Sequence, residues 1–364
     1  MRDDISDGTG NRVVIKVGTS SLITRGKVDP VKLDALCATV SKGIEAGLAP
    51  VLVTSGAIAL GRTKHSALAQ DTAEAAQTAA ALGQGVLYAA LQARFAAYGL
   101  ETGQILLTPH DLVAPERGGG VRRTLDLMRT LGAVPVVNEN DALGVRNNDV
   151  LAALLSGYVG ARLLLLLTNV AGLYDGNPLL GRDAVRITEV TGPISEVEAV
   201  AGGSTGDGGT GGMLVKLSAC WIATHAGVRT VVADATDPAA LAAAFRGDEV
   251  AGTVFPPRTS RSVAPGLGRL WRAFRNPPSG SVVCDAAGQR AIESGRALLG
   301  GNIEAVKGSF GSGDVVDVAG PDSRVIARGS VLIGSAEAGS AARSASAFLN
   351  DCDYVRISGG QLCR

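Results

Sequence analysis

RVVIKVGTSSL, residues 12–22, opens on a β-branched run and closes on glycine, threonine and serine. A run that is apolar at successive positions, not merely alternate ones, suits a strand covered on both faces. Comparable runs follow at 50–54, 104–108, 133–137, 163–168 and 229–233, the most apolar being LLLLLT at 163–168. Between them lie alanine-rich stretches of helical length at 30–46, 72–98, 122–131, 149–159 and 213–225. This alternation predicts an α/β fold, a mostly parallel sheet sandwiched between helices. In such sheets ligands bind beyond the carboxyl ends of the strands, so the residues that follow each strand carry the functional reading.

Those residues share a character. The first strand ends in Lys16, Gly18, Thr19 and Ser20; the second in Thr54, Ser55 and Gly56; the fourth in Asn138, Glu139, Asn140 and Asp141; the fifth in Thr168 and Asn169. Lys16 is the sharpest of them, because an unpaired ammonium in a core strand is costly. Either the strand lies at an edge and the lysine reaches water, or the ammonium meets an anion at the strand end. The Gly-Thr-Ser that follows favours a phosphate.

A second feature is GGSTGDGGTGGMLVK at 202–216. Gly206, Gly208 and Gly211 satisfy GxGxxG, but no strand precedes them and no acidic residue sits at the dinucleotide spacing. The chain contains no GxxxxGK[ST], which excludes a Walker-type loop. What remains is a glycine loop running into a helix with Lys216 in its first turn, a place where backbone N–H groups favour an anion; a plain surface loop is the alternative. If the acceptor is a carboxylate, it is already ionised near neutrality and needs no general base. Catalysis is then positioning plus charge neutralisation, a task for two lysines.

Other chemistries find little support. His65, His110 and His225 lack metal-ligand spacing, and no metal site is expected. Ser55 lacks the preceding glycine of a nucleophile elbow. Asp141 and Asp149 read as loop acids or helix caps by default, although they lie just beyond a strand end. Five cysteines, an odd number with no CxxC pair, argue against a disulfide framework or a zinc site and for a reducing cytoplasm. The polar, acid-rich N-terminus is no secretory signal, and the run at 163–167 is too short to cross a membrane.

With 364 residues, two domains are expected. Apolar residues at 46% exclude disorder, and 34 basic against 34 acidic residues leave no global field for nucleic acid. Proline pairs at 256–257 and 277–278 bracket five arginines and no acid. They predict a first domain at 1–255, a proline- and arginine-rich linker at 256–278 and a small β-rich domain at 279–358. The last would have strands at 281–284, 315–318, 325–327 and 354–357, a helix near 289–299, and a low-complexity surface helix or loop at 334–347. Aromatic residues, at 4%, offer no stacking platform beside the linker arginines, which argues against RNA as a partner.

Taken together, IKVGTSSL (15–22), VTSGAIALG (53–61), VNENDA (137–142), NND (147–149), LLLLTNVAGLY (164–174) and GTGGMLVK (209–216) resemble the glutamate 5-kinases of the amino-acid-kinase family. SGSVVCDAAG, SGRALL, GDVVDV and IARG, in the C-terminal part, resemble a PUA domain. The resemblance implies the amino-acid-kinase fold, an acceptor that is a small-molecule amino acid, and ATP with Mg2+. Its product would be γ-glutamyl phosphate for proline synthesis. It implies a homo-oligomer, dimer or tetramer, and inhibition by proline. Lys16 and Lys216 would act on the ATP phosphates, with Asp149 orienting them. Gly18, Thr19, Thr168, Asn169 and the run Thr210, Gly211, Gly212, Met213, Leu214, Val215 and Lys216 would lie at the nucleotide. Ser55, Gly56, Asn138, Asp141, Asn147 and Asn148 would hold the amino acid.

The chain departs from the family at Arg146-Asn147, where Gly-Asp is usual, at Asn169 for an aspartate, at Ala76 for a lysine, and at Ala286-Ala287-Gly288 in the second domain. These changes retain the phosphate-handling lysines and alter the acceptor side. They suggest a shifted acceptor preference, toward another small carboxylate or amino-acid derivative. A reading from another class is an RNA-binding PUA protein with a degenerate kinase domain.

Overall fold

The computed structural model describes residues 11–144, 147–176, 184–202, 210–341 and 346–357. Its main sheet has seven strands: β1 (Arg12–Val17), β2 (Ala49–Thr54), β3 (Thr102–Leu107), β4 (Val134–Glu139), β5 (Leu163–Thr168), β6 (Arg229–Asp234) and β7 (Gly252–Phe255). The order is β7-β6-β5-β1-β2-β4-β3, parallel throughout except that β7 runs antiparallel to β6 at one edge. The twelve helices among the described residues are α1 (Pro30–Glu45), α2 (Ala57–Lys64), α3 (Ala73–Ala96), α4 (Pro109–Val113), α5 (Pro115–Thr130), α6 (Asn148–Tyr158), α7 (Ile194–Gly202), α8 (Thr210–His225), α9 (Pro238–Arg246), α10 (Leu267–Phe274), α11 (Ala286–Glu293) and α12 (Ser335–Ala341).

All six strands expected from the sequence form. The two faces of β1 explain its composition. Val13, Ile15 and Val17 enter a core cluster with Leu33, Leu36 and Val40 of α1, Leu87 and Leu91 of α3 and Leu241 of α9. Lys16, between them in sequence, points to the opposite face. β1 is paired on both sides, Lys16 standing opposite Val53 of β2 and Leu166 of β5, so it is a central strand and the edge reading of Lys16 falls. At the other end of the sheet Arg12 donates to the Val159 carbonyl at 2.8 Å and to Asp126 at 2.6 Å, fixing the strand's amino end.

Several boundaries differ from expectation, each for a local reason. β4 runs on through Asn138 and Glu139, whose polarity suggested a loop. α5 begins at Pro115, a residue preset for a first helical position, and carries the glycines 118–120 inside it. The helix expected at 289–299 stops at Glu293, and Gly295 follows with φ +71°, while Leu298–Leu299 is a strand. Helices α2, α4, α7 and α9, strand β7 and the strand Ile303–Gly308 have no counterpart in the sequence pattern. The arginine-rich linker also contains α10, whose Leu270, Trp271, Ala273 and Phe274 are buried.

The chain forms two compact units. One takes in the described residues up to Tyr174 together with Val185–Val190 and Val228–Pro256, and holds the main sheet. The other takes in Asp175–Ala184, Thr191–Gly227 and the chain from Pro257 onward. Its sheet comprises β8 (Gly280–Cys284), β9 (Ile303–Gly308), β10 (Val315–Ala319), β11 (Val325–Ser330) and β12 (Tyr354–Arg356), in the order β9-β8-β10-β11-β12. Among the described residues Cys37, Cys284 and Cys352 are free thiols, and burial pushes Cys37 up to about 12. No helix of the described residues is long and apolar enough to cross a membrane.

Candidate active site

Parallel strands put their carboxyl ends along one edge, and the polar groups singled out from the sequence stand there. Lys16, one residue from the end of β1, is 6% exposed. Its Nζ lies 2.7 Å from Oδ1 of Asp149, in the first turn of α6, and both side chains are buried. An ammonium drawn out of water is tolerable when a carboxylate meets it closely. Asp149 is itself held by local structure. The side chain of Asn147 accepts a hydrogen bond from the Asp149 N–H at 2.8 Å and so caps α6, an arrangement of about 1 kcal/mol in typical helices. The Asn147 that replaces a carboxylate in the family pattern thus has a structural task here.

The glycine after β1 closes the next part of the edge. Gly18 donates its N–H to the Leu167 carbonyl of β5 at 3.3 Å, tying the turn at Thr19–Ser21 to the end of the neighbouring strand. Thr168 is buried at the tip of β5 and donates through Oγ1 to the exposed Asn169 side chain at 3.3 Å. Gly18, Thr19, Thr168 and Asn169 therefore share the ends of two adjacent strands.

On the other side of β1, β2 passes through Ser55 and Gly56 directly into α2. Gly56 has φ +121°, and a Cβ there would stand 2.4 Å from Ile23 Cδ1. The backbone conformation demands glycine at this turn, which leaves the first N–H groups of α2 open to an anion. Asn138, buried at the end of β4, donates to Gln84 of α3 at 2.6 Å. The side-chain oxygens of Asn138 and Asn148 both accept from the Glu139 N–H, at 2.9 and 3.0 Å. The structure thus gathers Asn138 and Asn148 on one backbone group. Asp141, two residues beyond the strand, is 8% exposed, and burial raises its carboxyl to about 6. Its carboxylate has no partner among the described residues.

Two side chains here escaped the sequence reading. Gln84 sits between Gly83 and Gly85 on an otherwise alanine-rich helix, and that isolated polar residue was the available signal. Glu139 is buried beside Asn138, and its place within the polar run at 138–141 was noted but given no role.

Lys216 belongs to the second compact unit. α8 starts at Thr210, so Lys216 lies in its second turn and not in the first. The helix begins earlier than its glycines suggested, taking Gly211 and Gly212 into its first turn. Gly212 is exposed and Met213, Leu214, Val215 and Lys216 are half-buried. Gly206 and Gly208 lie outside the described residues.

Residues 11–234 match the model of the amino acid kinase family, and residues 280–349 match the PUA domain. The chain is 40% identical over 336 residues to glutamate 5-kinase of Trichlorobacter lovleyi, covering 90% of this chain and 88% of that one. It is 38% identical over 326 residues to glutamate 5-kinase of Moorella thermoacetica, with 87% and 85% covered. Glutamate 5-kinase of Mycobacterium tuberculosis (strain CDC 1551 / Oshkosh) is 39% identical over 345 residues, with 92% and 89% covered. Among solved structures, UMP kinase from Ureaplasma parvum superposes with a TM-score of 0.50 at 16% identity, covering 68% of this chain and 99% of that one, a likeness of fold alone.

Proposed function

This chain belongs to the amino acid kinase family, and from that premise we propose that it phosphorylates the γ-carboxylate of glutamate with ATP. The observation that carries the reading is the buried 2.7 Å pair of Lys16 and Asp149 at the carboxyl end of a central parallel strand. A cation held there by a buried carboxylate is fixed in place, ready for a phosphate. The relatives named glutamate 5-kinase supply the acceptor.

The reaction needs no base from the protein. One γ-carboxylate oxygen of glutamate attacks the γ-phosphorus of ATP while the bond to the β,γ-bridging oxygen breaks, giving γ-glutamyl phosphate and ADP. The barrier is the approach of two anions, so the protein's part is to place them and neutralise charge. Lys16 and Lys216 act on the phosphates, with Asp149 orienting Lys16. Gly18, Thr19, Thr168, Asn169 and the start of α8 from Thr210 border the nucleotide. Ser55, Gly56, Asn138, Asn147 and Asn148 border the amino acid, and Asp141 meets its ammonium.

Among the described residues no group of three His, Cys, Asp or Glu side chains could hold a metal. An Mg2+ ion arriving with ATP, held by its phosphates and waters, would supply further neutralisation. The same reading makes 1–255 the chemical domain, 256–278 the connection and 279–358 the appended domain, in a cytoplasmic homo-oligomer.

Asp141 gives the reading a pH signature. A carboxyl raised by burial holds its proton in the folded chain where the unfolded chain has lost it. Its contribution to stability is therefore complete below about pH 4 and fades as pH rises through about 6. Pairing with the glutamate ammonium requires the ionised form. KM for glutamate is expected to fall as pH rises from about 5 to 7, while Asp141→Asn shows a high, pH-independent KM in steady-state assays.

The decisive experiment follows ADP release with glutamate as acceptor and traps the acyl phosphate as hydroxamate. Glutamate-dependent hydroxamate is expected. ADP release without it, or a clear preference for an N-acylated or amide analogue, removes the proposed acceptor.

A further inference from the structure

The most deeply buried charge in the second compact unit has no place in the reaction as described. Arg328, on β11, is fully buried. Its Nη1 and Nη2 donate to Oε1 and Oε2 of Glu198, each at 2.7 Å, a two-pronged clamp. Its Nε donates to Oδ1 of Asp317 at 2.7 Å, and Nη2 also reaches Oδ2 at 3.1 Å. Asp317 is the cross-strand partner of Arg328 in the antiparallel β10–β11 pair, so the guanidinium is held rigidly by its own sheet.

Glu198 lies outside that sheet, on α7. The same Oε1 that receives Arg328 also accepts the indole N–H of Trp221 on α8, at 2.9 Å. One carboxylate thus joins α7, α8 and β11. Around it the second half of α8 is locked. Residues 217–226 are all buried, the Arg258 guanidinium lies 4.7 Å over the Trp221 ring, and His225 stacks on Phe274 of α10 at 5.1 Å. The first half is looser, with residues 212–216 exposed or half-buried. Lys216 stands at the junction, five residues before Trp221, or about 7.5 Å along a helix axis.

Buried ion clusters give little net stability, because desolvation offsets most of the Coulomb attraction. They do fix one geometry over others, since two planar carboxylates and one planar guanidinium fit together in few ways. Glu198 and Lys216 lie in the stretch that matches the amino acid kinase family, and Asp317 and Arg328 in the stretch that matches the PUA domain. An arginine of the appended domain therefore holds the helix that carries a phosphate lysine.

We propose that Arg328 is a positioning residue for phosphoryl transfer: through Glu198 and Trp221 it sets α8, and with it the place of the Lys216 ammonium. This rests on the reading of Lys216 as a phosphate ligand. The effect falls on the nucleotide and not on the amino acid, whose groups stand in the other unit.

The test uses the full chain with Arg328→Met and Arg328→Lys, and with a charge-free set, Arg328→Met with Glu198→Gln and Asp317→Asn. The last leaves no uncompensated buried charge and keeps the proposal testable if the single variants do not fold. Steady-state kinetics are expected to show KM for ATP raised about tenfold or more, kcat lowered, and KM for glutamate within about twofold. Arg328→Lys should restore little, since an ammonium cannot make the two-pronged contact. Folded variants with wild-type ATP kinetics, or with both KM values moved equally, overturn the proposal. Lys216→Met in the same assay separates the two ideas. If it leaves ATP kinetics unchanged, the role of Lys216 fails. If it cripples the enzyme while the Arg328 variants behave normally, only the positioning role fails.

Discussion

Lys16→Met should abolish turnover, lowering kcat by about a thousandfold or more with the other side chains in place. Methionine fills much of the lysine's volume within β1 but presents no charge to a phosphate. The attack of one anion on another then lacks the cation nearest the strand edge. KM for glutamate should change little, because Ser55, Gly56 and Asn138 belong to other strand ends. Stability changes too, since removing one partner of a buried ion pair typically costs about 3–5 kcal/mol. Lys16→Met with Asp149→Asn discriminates between loss of fold and loss of chemistry. That pair should melt well above the single variant and remain inactive. A folded Lys16 variant within tenfold of the wild-type rate would mean that Lys16 is only a structural partner of Asp149. Lys16→Arg should not rescue, because the larger guanidinium has no room in a site where the lysine is 6% exposed.

How legible such residues were depends on what each owes to local pattern. The strands were legible because doubly covered strands must be apolar on both faces, and Lys16 was conspicuous as the exception within one. Its partner Asp149 was legible only through the family resemblance, since nothing local to Asp149 says which ammonium α6 will meet. Polar strand ends such as Asn138 and Glu139 look like loop in a linear reading, although hydrogen bonding to neighbouring strands keeps them extended. α2 was missed because AIALGRTK is short and its Gly61 weakens it as a helix; that glycine is present for packing. Arg328 was invisible for the opposite reason. An arginine in a strand ordinarily reaches solvent, and only the folded chain shows Glu198 closing over it. The apolar side of α10 was hidden in a similar way, because the proline pairs and arginines around it read as a linker.

The second large effect is expected at Gly83, where α2 and α3 cross with almost no side chain between them. A Cβ on Gly83 would stand 1.8 Å from the Ala57 carbonyl oxygen and 2.7 Å from the Gly61 nitrogen, and one on Gly61 would stand 2.0 Å from the Ala79 carbonyl oxygen. These are backbone atoms, so no rotamer change relieves the clash and the helices must separate. Ordinary overpacking costs about 1–3 kcal/mol, and a backbone clash should lie at the upper end. A helix-interior Gly→Ala change would otherwise gain about 0.5–1 kcal/mol, so the sign of the result is diagnostic. The functional consequence follows from what the crossing carries. Ala57 begins α2 directly after Ser55 and Gly56, and Gln84, the residue after Gly83, receives the Asn138 amide. Gly83→Ala should therefore lower the melting temperature and raise KM for glutamate about tenfold, with KM for ATP unchanged. Gly85→Ala is the control, because a Cβ there meets nothing within 4 Å. It should be neutral or stabilising and kinetically silent. If Gly83→Ala instead melts with or above the wild type, the close crossing does not hold α2 in place. The amino-acid side of the site would then have to be fixed by the strand ends alone.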